Sequence, residues 1–486
     1  MNQPFARTKL APDLCISRIV TGLWQVADLE RDGKPLDLDR AALSMKAYTE
    51  AGLTTFDMAD HYGSAELIAG IFADRYAGDQ SVQMLTKWVP TPGVSSRGTV
   101  RVAVERALER LRTEQLDLLQ YHAWNYADPS YIDDLFFLQE LQQQRLIRHL
   151  GLTNFDTAHL RIVLASGINV VSNQVCYSLL DQRAADEMTQ LCNAAGVKLL
   201  AFGTLAGGLL TERWLDHPEP RSDALTTWSQ MKYKRYIDQA GGWDAFQRLL
   251  TVLHYTAQRL GVSMANVASH CILERPAVGA VIIGARLGES EHIEDTLQLL
   301  DFSLDDEARE TIRAALGALT PIPGDCGDEY RKPPFLTASG DLSHHLDAMP
   351  PPYRSDTGAD GRTVALSGTV WEDIAGFARA VRKGNRILVS GTTATHGTRL
   401  IGGGDPVAQT HFAIDKIEGA LQSLGGRLDE VVRTRVFIQE QDDWEAVSRA
   451  HGARFARTRP ANTLVRADLV GEGYLVEIEA EAIVDG

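Results

Sequence analysis

Positive charge is in short supply: 48 Lys and Arg stand against 64 Asp and Glu, a formal net charge of -16 over 486 residues. Such a surface gains little from counterion release on a polyanion, which excludes nucleic acid as the expected partner. Cysteine is scarce as well. Cys15, Cys176, Cys192, Cys271 and Cys326 are an odd number, scattered, with no Cys-x-x-Cys pair and no Cys/His cluster at zinc spacing. That pattern excludes a disulfide scaffold and a zinc ribbon and fits a reducing compartment. No apolar run approaches the ~18 residues of a membrane span, and Asp13 with its polar neighbours interrupts the stretch that a signal peptide would need. A cytoplasmic protein without a membrane partner is therefore expected. No Gly-x-Gly-x-x-Gly follows a strand and no Gly-x4-Gly-Lys-Ser/Thr occurs, so a nucleotide site of either kind is excluded.

What is present is a globular composition, 44% hydrophobic and 23% charged, in a chain long enough for two or three domains. Seven of the 18 prolines fall between Pro321 and Pro352, and residues 319–360 read as a Pro-rich linker. His344 and His345 are adjacent there, but neighbours in sequence do not converge on a metal without further spaced ligands. Across residues 1–318, apolar strand candidates (SRIVTGLW, TTFDMA, VQMLTKW, LDLLQYH, IRHLGLTN, NVVSNQV, VKLLAFG, GAVIIGA) alternate with amphipathic helical segments. Eight strand–helix units with right-handed crossovers predict a closed (β/α)8 TIM barrel, with a doubly wound sheet as the structural alternative. Residues 361–486 group five strand candidates with two long helical segments, which predicts a smaller two-layer α+β domain.

Four polar residues stand at or just past the C-terminal ends of predicted barrel strands: Asp57, Tyr62, Lys87 and His122. In a barrel of this kind that face carries active sites. This set, in this order, resembles the Asp, Tyr, Lys and His tetrad of the aldo-keto reductase superfamily, a resemblance that runs from about residue 8 to 318. The stretches GLWQ at Gly22, GLTNF at Gly151, NQVCYSLL at Asn173, AFGTLAGGLLT at Ala201 and IIGARLGESEHIEDT at Ile282 resemble its cofactor-binding segments. The resemblance implies reduction of an aldehyde or ketone, or oxidation of the alcohol, with a small carbonyl or alcohol as partner. Hydride arriving at a carbonyl leaves charge on oxygen that must be protonated, and a phenol near pKa ~10 is a reluctant donor. Lys87 beside Tyr62 is expected to lower the phenol pKa, Asp57 to hold the ammonium, and His122 to orient the carbonyl. A barrel that senses a nicotinamide cofactor without turnover is the competing reading.

By the same resemblance Thr153, Asn154 and Gln174 hold the nicotinamide carboxamide and Phe202 stacks on its ring. Gly22, Leu23, Thr204, Leu205 and Gly207 line the remaining cofactor loops. Arg286 falls where the family meets the 2′-phosphate of NADPH, while His292 and Thr296 replace a frequent arginine and asparagine, so NADH stays open as the alternative. The long segment Glu212 to Trp243 carries Lys232, Lys234 and Arg235, which steer an anionic substrate, clamp the cofactor phosphate, or form a solvated helix face; the sequence leaves these readings open.

From Gly361 onward, GFARAVRKGNRILVSG, the helix ending in SLGGRLDEVVRTRVFIQ, and RPANTLVRADLVGEGYLVEIEAEAIV resemble the Rid (YjgF/YER057c/UK114) family of imine and enamine hydrolases. The resemblance implies a homo-oligomer, a trimer with sites between subunits. The family's carboxylate-gripping arginine is Asn462 here, and a tyrosine is Phe377. Inefficient deamination of 2-aminoacrylate is expected, because an amide cannot offer a charged fork. Arg466, two alternations along the strand, and Glu477 with Glu479 are the remaining candidates, each with an ordinary structural reading beside the functional one. The fused domain then serves oligomerisation, or handles an imine whose carbonyl product the barrel reduces; an imine-processing enzyme with an auxiliary reductase is the third reading.

Overall fold

The computed structural model describes residues 7–30, 33–78, 80–93, 96–289, 291–331 and 349–484. A short hairpin, Arg7–Ala11 against Leu14–Ser17, precedes the barrel. Leu10, Leu14 and Ile16 pack with Val20, Leu85, Leu118, Leu200 and Ala280 from the barrel interior. The hairpin thus plugs the barrel, a cover that the polar start of the chain had not suggested.

The eight strands Ile19–Gly22, Thr55–Asp57, Gln83–Trp88, Leu116–Tyr121, Ile147–Thr153, Ser172–Cys176, Lys198–Phe202 and Val278–Gly284 pair in parallel and close on themselves. Each overlaps one of the expected segments, so the (β/α)8 barrel stands and the open sheet does not. Helices such as Leu38–Glu50 and Arg97–Leu111 ring the strands, capped by Asp37 and by the Ser96–Thr99 capping box. Close packing demands glycine at Gly70, where a Cβ would come within 2.1 Å of the Arg110 carbonyl oxygen.

The second domain is a seven-stranded sheet covered by the helices Pro406–Ser423 and Trp444–Phe455, the expected two-layer α+β arrangement. Two parts of the expected linker are structured instead. Residues Arg354–Thr357 pair with Arg362–Leu366 as the outermost strand, and Asp328–Arg331 form a helical turn. The outer strand is exposed at all four positions, so it carries no apolar alternation by which the sequence could have revealed it. The expected strand TVALSGTVW ends at Leu366 and gives way to the helix Val370–Ala375, and Ala380–Lys383 is a further strand. His344 and His345 lie outside the described residues. Among the described residues no helix is long and apolar enough to cross a membrane, no metal-ligating cluster occurs, and all five cysteines are free.

The two domains share a packed interface. The barrel helix Thr157–Ala165 lies against Pro406–Ser423, and Ala394, Ile401, Ala408 and Phe412 of the second domain join the barrel's own apolar cluster. At its centre His159 donates from both ring nitrogens, to Asp156 at 2.6 Å and to Asp415 at 2.9 Å. Its ring stacks on Tyr126 at 3.4 Å. Arg454 completes the chain, 2.5 Å from Asp415 and 2.7 Å from Glu418.

Candidate active site

Parallel register brings the strand-end residues to one end of the barrel. Lys87 Nζ lies 2.6 Å from Asp57 Oδ2 and donates to the Met58 carbonyl at 2.9 Å. Both side chains are buried. The same ammonium sits 4.7 Å from the centroid of the Tyr62 ring. His122 follows the neighbouring strand Leu116–Tyr121, with its backbone N–H on the Trp88 carbonyl and Nδ1 3.3 Å from the Thr153 carbonyl oxygen. The structure therefore brings Asp57, Tyr62 and Lys87 into contact, with His122 one strand away.

The electrostatics differ from expectation in one respect. Burial, with the charges of Asp57, Tyr330 and Asp60, pushes the Tyr62 phenol well above its ordinary value, rather than Lys87 drawing it down. The reason is geometric. The Lys87 ammonium stands over the ring while its hydrogen bonds go to Asp57 and Met58, so its charge is already neutralised by the carboxylate. Burial in turn pulls the Lys87 pKa below its ordinary value despite Asp57. The resting phenol is therefore protonated at neutral pH but a weaker acid than a free phenol, so its proton moves only toward the strongly basic oxygen that hydride arrival creates.

The expected cofactor residues divide into two groups. Near the tetrad, Asn154 adopts φ +59° and its buried side-chain oxygen accepts no hydrogen bond, an orphaned acceptor suited to an amide N–H donor. Thr153 Oγ1 donates to the Gln174 carbonyl at 3.3 Å. Gln174 turns its amide nitrogen to Asp57 Oδ1 at 2.7 Å and to Gln120 Oε1 at 2.9 Å. Phe202 ends its strand with a partly exposed ring. A nicotinamide group fits this end on the donor and acceptor set. Gly22 pairs with Asp57 and Gly284 in register, and a Cβ there would come within 2.8 Å of Ile282. Leu23 is fully buried, and Thr204 is buried against Ser269 at 3.0 Å, so these two reach a ligand through backbone only. Leu205 and Gly207 (φ +65°) form the turn beyond Phe202.

At the far end, Arg286 gives Nε and Nη2 to Glu289 at 3.0 and 2.8 Å. A phosphate must displace that carboxylate to use the guanidinium. Arg40, which the sequence did not single out, reaches the Gly288 carbonyl at 3.3 Å from the neighbouring helix and adds a second cation there.

In the second domain the candidate residues do not converge. Asn462 is in register with Thr434 and Ala480, and its Nδ2 donates to Thr434 Oγ1 at 2.9 Å on the helix-covered face. Glu479 is in register with Arg435 and pairs with it at 2.8 Å on the open face, one residue out of phase and therefore on the opposite side. Glu477 abuts Gly391, and burial with the neighbouring Glu479 raises its carboxyl pKa against the pull of Arg379. The Arg379 guanidinium lies 5.5 Å from the Phe377 ring. Arg466 spends its Nε on the Gln439 carbonyl at 3.2 Å. A cleft of about 350 Å³ opens beside Asn462, lined by His451, Phe455 and Leu464 among others.

Residues 18–316 match the family model described as Aldo/keto reductase family. The chain belongs to that family. It is accordingly an NAD(P)H-dependent oxidoreductase of carbonyl and alcohol groups. Residues 368–484 match the model described as Endoribonuclease L-PSP, the Rid group. Over 117 residues the chain is 43% identical to the uncharacterized protein SCO2049 of Streptomyces coelicolor, covering 24% of this chain and 87% of that protein. It is 24% identical to the chloroplastic pyridoxal reductase of Arabidopsis thaliana over 324 residues, 63% of this chain and 84% of that one. The solved glycerol dehydrogenase AKR11B4 of Gluconobacter oxydans shares the fold at a TM-score of 0.55 and 23% identity, covering 66% of this chain and 98% of its own.

Around this aldo/keto reductase site stand residues that sequence reasoning missed. Gln120 alternates inward in LDLLQYH, and its Nε2 reaches Asp57 Oδ1 at 3.1 Å; the period of two was signal enough. The post-barrel turn Asp328–Arg331 gave no such signal, being read as linker. It packs over the mouth. Arg331 donates to the Ala123 and Asn154 carbonyls at 2.7 and 2.6 Å and its guanidinium lies 4.2 Å from the Tyr126 ring. Glu329 is fully buried against Arg183 at 2.8 Å, and Arg183 also holds Asp181 at 2.7 Å. The Tyr330 ring meets His122 edge-on at 5.6 Å. Trp24, 4.8 Å from Tyr62 and 5.8 Å from Trp228, forms the opposite wall.

Proposed function

We propose that the barrel reduces an aldehyde or ketone with NADPH, or oxidises the corresponding alcohol in reverse, with Tyr62 as the proton donor. The observation that carries this reading is the buried Lys87–Asp57 pair beneath the Tyr62 ring, with His122 on the next strand. The cofactor supplies, when bound, a hydride to the carbonyl carbon. His122 orients the carbonyl oxygen, and Tyr62 hands its phenolic proton to that oxygen as charge develops there. Lys87 and Asp57 fix the phenol in place, and Gln120 and Gln174 hold the Asp57 carboxylate from the other side. Thr153, Asn154 and Gln174 hold the carboxamide, Phe202 the nicotinamide ring, and the loops around Gly22, Leu23, Thr204, Leu205 and Gly207 the remainder. Arg286, assisted by Arg40, meets the 2′-phosphate, which makes NADPH the preferred cofactor over NADH. The aromatic walls Trp24, Trp228, Tyr330 and Trp124, the last edge-on to His122 at 4.5 Å, exclude water from the transfer.

The division that accompanies this reading is a reductase barrel over residues 1–318, a connecting segment over 319–360 whose ends are structured, and a Rid domain over 361–486 joined to its sheet from Arg354. The Rid domain acts as an oligomerisation module, a trimer in keeping with its family. The observation favouring this over imine chemistry is the open sheet face, where Leu388, Val432, Val465 and Ile483 are each exposed by more than 40%, while Asn462 and Glu479 face opposite ways.

The test is a steady-state screen of aldehydes, ketones and sugars against NADPH and NADH using the full chain. Turnover that is faster with NADPH supports the reading. Tight cofactor binding with no turnover of any carbonyl overturns it in favour of a sensor. Light scattering of the same sample reads the oligomer directly, with a monomer contradicting the module.

A further inference from the structure

The basic residues of the long segment go three ways. Lys234 pairs with Glu219 at 2.7 Å and Asp238 at 2.5 Å, and Arg235 is exposed. Lys232 turns inward, its side chain 12% exposed. Its ammonium lies 5.0 Å from the centroid of Phe202 and 4.8 Å from that of Tyr330, and donates to the Tyr330 hydroxyl at 3.0 Å. Trp228, one turn earlier on the helix Trp228–Gln239, shares that face and completes the wall with Trp24.

Tyr330 therefore spans the mouth. One edge of its ring meets His122, and its hydroxyl meets Lys232. Glu329 is the nearest carboxylate to Lys232, at 3.7 Å, but its other oxygen is taken by Arg183 at 2.8 Å. The ammonium has three N–H donors and one close hydrogen-bond partner, the Tyr330 hydroxyl. On the same turn Arg331 makes no ion pair with any described residue, and its Nη2 is buried without a hydrogen-bond partner. Glu329 supplies counter-charge at 3.7 Å without a close hydrogen bond, so the ammonium keeps N–H donors for an anionic group that enters the mouth.

We propose that Lys232 and Tyr330 form a recognition site for an anionic group of the substrate, a carboxylate held about one aromatic ring's width from the carbonyl carbon. The barrel's preferred substrates are then carboxylate-bearing carbonyl compounds with a flat apolar spacer between the two groups. The substrate's spacer lies along the aromatic walls, its carbonyl reaches His122 and Tyr62, and its carboxylate accepts charge-assisted hydrogen bonds from Lys232 and the Tyr330 hydroxyl. This rests on the reductase reading above. Lys232 and Tyr330 are specificity residues, distinct from the proton-donating Tyr62.

The experiment compares 4-formylbenzoate with its neutral methyl ester in the full chain. The ratio of kcat/KM values, acid over ester, is expected to exceed about tenfold in the natural chain. It falls about 30-fold in Lys232→Met, chiefly through the KM of the acid, and about fivefold in Tyr330→Phe, which removes only a hydroxyl. Lys232→Arg retains most of it. An unchanged ratio in Lys232→Met and Tyr330→Phe, with both aldehydes turned over, overturns the anion site and leaves the reductase reading intact. A second readout needs no turnover: calorimetric titration with 4-(hydroxymethyl)benzoate, without cofactor and with NADPH. Affinity lost in Lys232→Met supports the anion site whether or not a carbonyl is reduced, and absence of turnover with every carbonyl overturns the reductase reading separately. Equal affinity in both chains overturns the anion site.

Discussion

In the barrel, strands Thr55–Asp57, Gln83–Trp88, Leu116–Tyr121 and Ser172–Cys176 deliver Asp57, Lys87, Gln120 and Gln174 onto one interior point, where each contacts another. In the Rid sheet, Asn462 and Glu479 sit one register step apart and face opposite sides. A closed parallel barrel turns every strand end toward one mouth, so residues far apart in sequence converge within a single chain. A half-open sheet offers two faces, and a site on its open face is completed only by what covers it. The Rid half therefore reads as a surface, the barrel half as a pocket.

The comparison breaks most readily at the turn that closes the pocket. Burial works against the Glu329 carboxylate, but Arg183 and Lys232 hold its pKa down to about 2. Glu329→Gln leaves Lys232 without its nearest carboxylate and Arg183 with Asp181 alone and is expected to cost about 3–5 kcal/mol, measured by urea unfolding of the full chain; a loss below about 1 kcal/mol would mean that the turn is not part of the pocket. The contribution of Glu329 is present above the ordinary carboxylate range and disappears only as pH falls through about 2.

A smaller effect is expected where pocket and surface meet. Burial opposes charge on His159, yet Asp156 and Asp415 outweigh it and raise its pKa above 6.5. Because the folded pKa is the higher one, the stability that His159 lends is complete below 6.5 and fades as pH rises through the folded value. His159→Gln should therefore lower the unfolding free energy most at pH 6, by about 1–3 kcal/mol, with the gap closing toward pH 9. A gap that widens with pH would reverse the sign of this account. The smallest effect belongs to the Rid cleft. Asn462→Arg replaces one hydrogen bond to Thr434, on the face away from Glu479, and should change stability by at most about 1 kcal/mol. It should not create 2-aminoacrylate hydrolysis, assayed as pyruvate release; substantial release would show that the two faces cooperate.

The barrel was legible because each strand carries a buried apolar run bounded by turns, and the tetrad because its four residues stand at or just past strand ends. The Rid helices were legible from apolar periodicity, as in HFAIDKIEGALQSLG. The outer strand Arg354–Thr357 was not, since all four side chains face solvent and alternate nothing. The turn Asp328–Arg331 was not, because its burial comes from partners more than a hundred residues earlier, Arg183 and Ala123, and no local pattern records them. The pKa of Tyr62 was misjudged from types alone: distance from Lys87 to the ring, and the carboxylate beyond it, decide the sign.

The central claim is that Tyr62 donates the proton. Steady-state NADPH oxidation by the full chain with its best carbonyl substrate, run beside Tyr62→Phe with cofactor affinity measured on both, tests it most directly. The account predicts a fall in kcat of at least about 100-fold with cofactor affinity within about threefold. Turnover retained in Tyr62→Phe would contradict it.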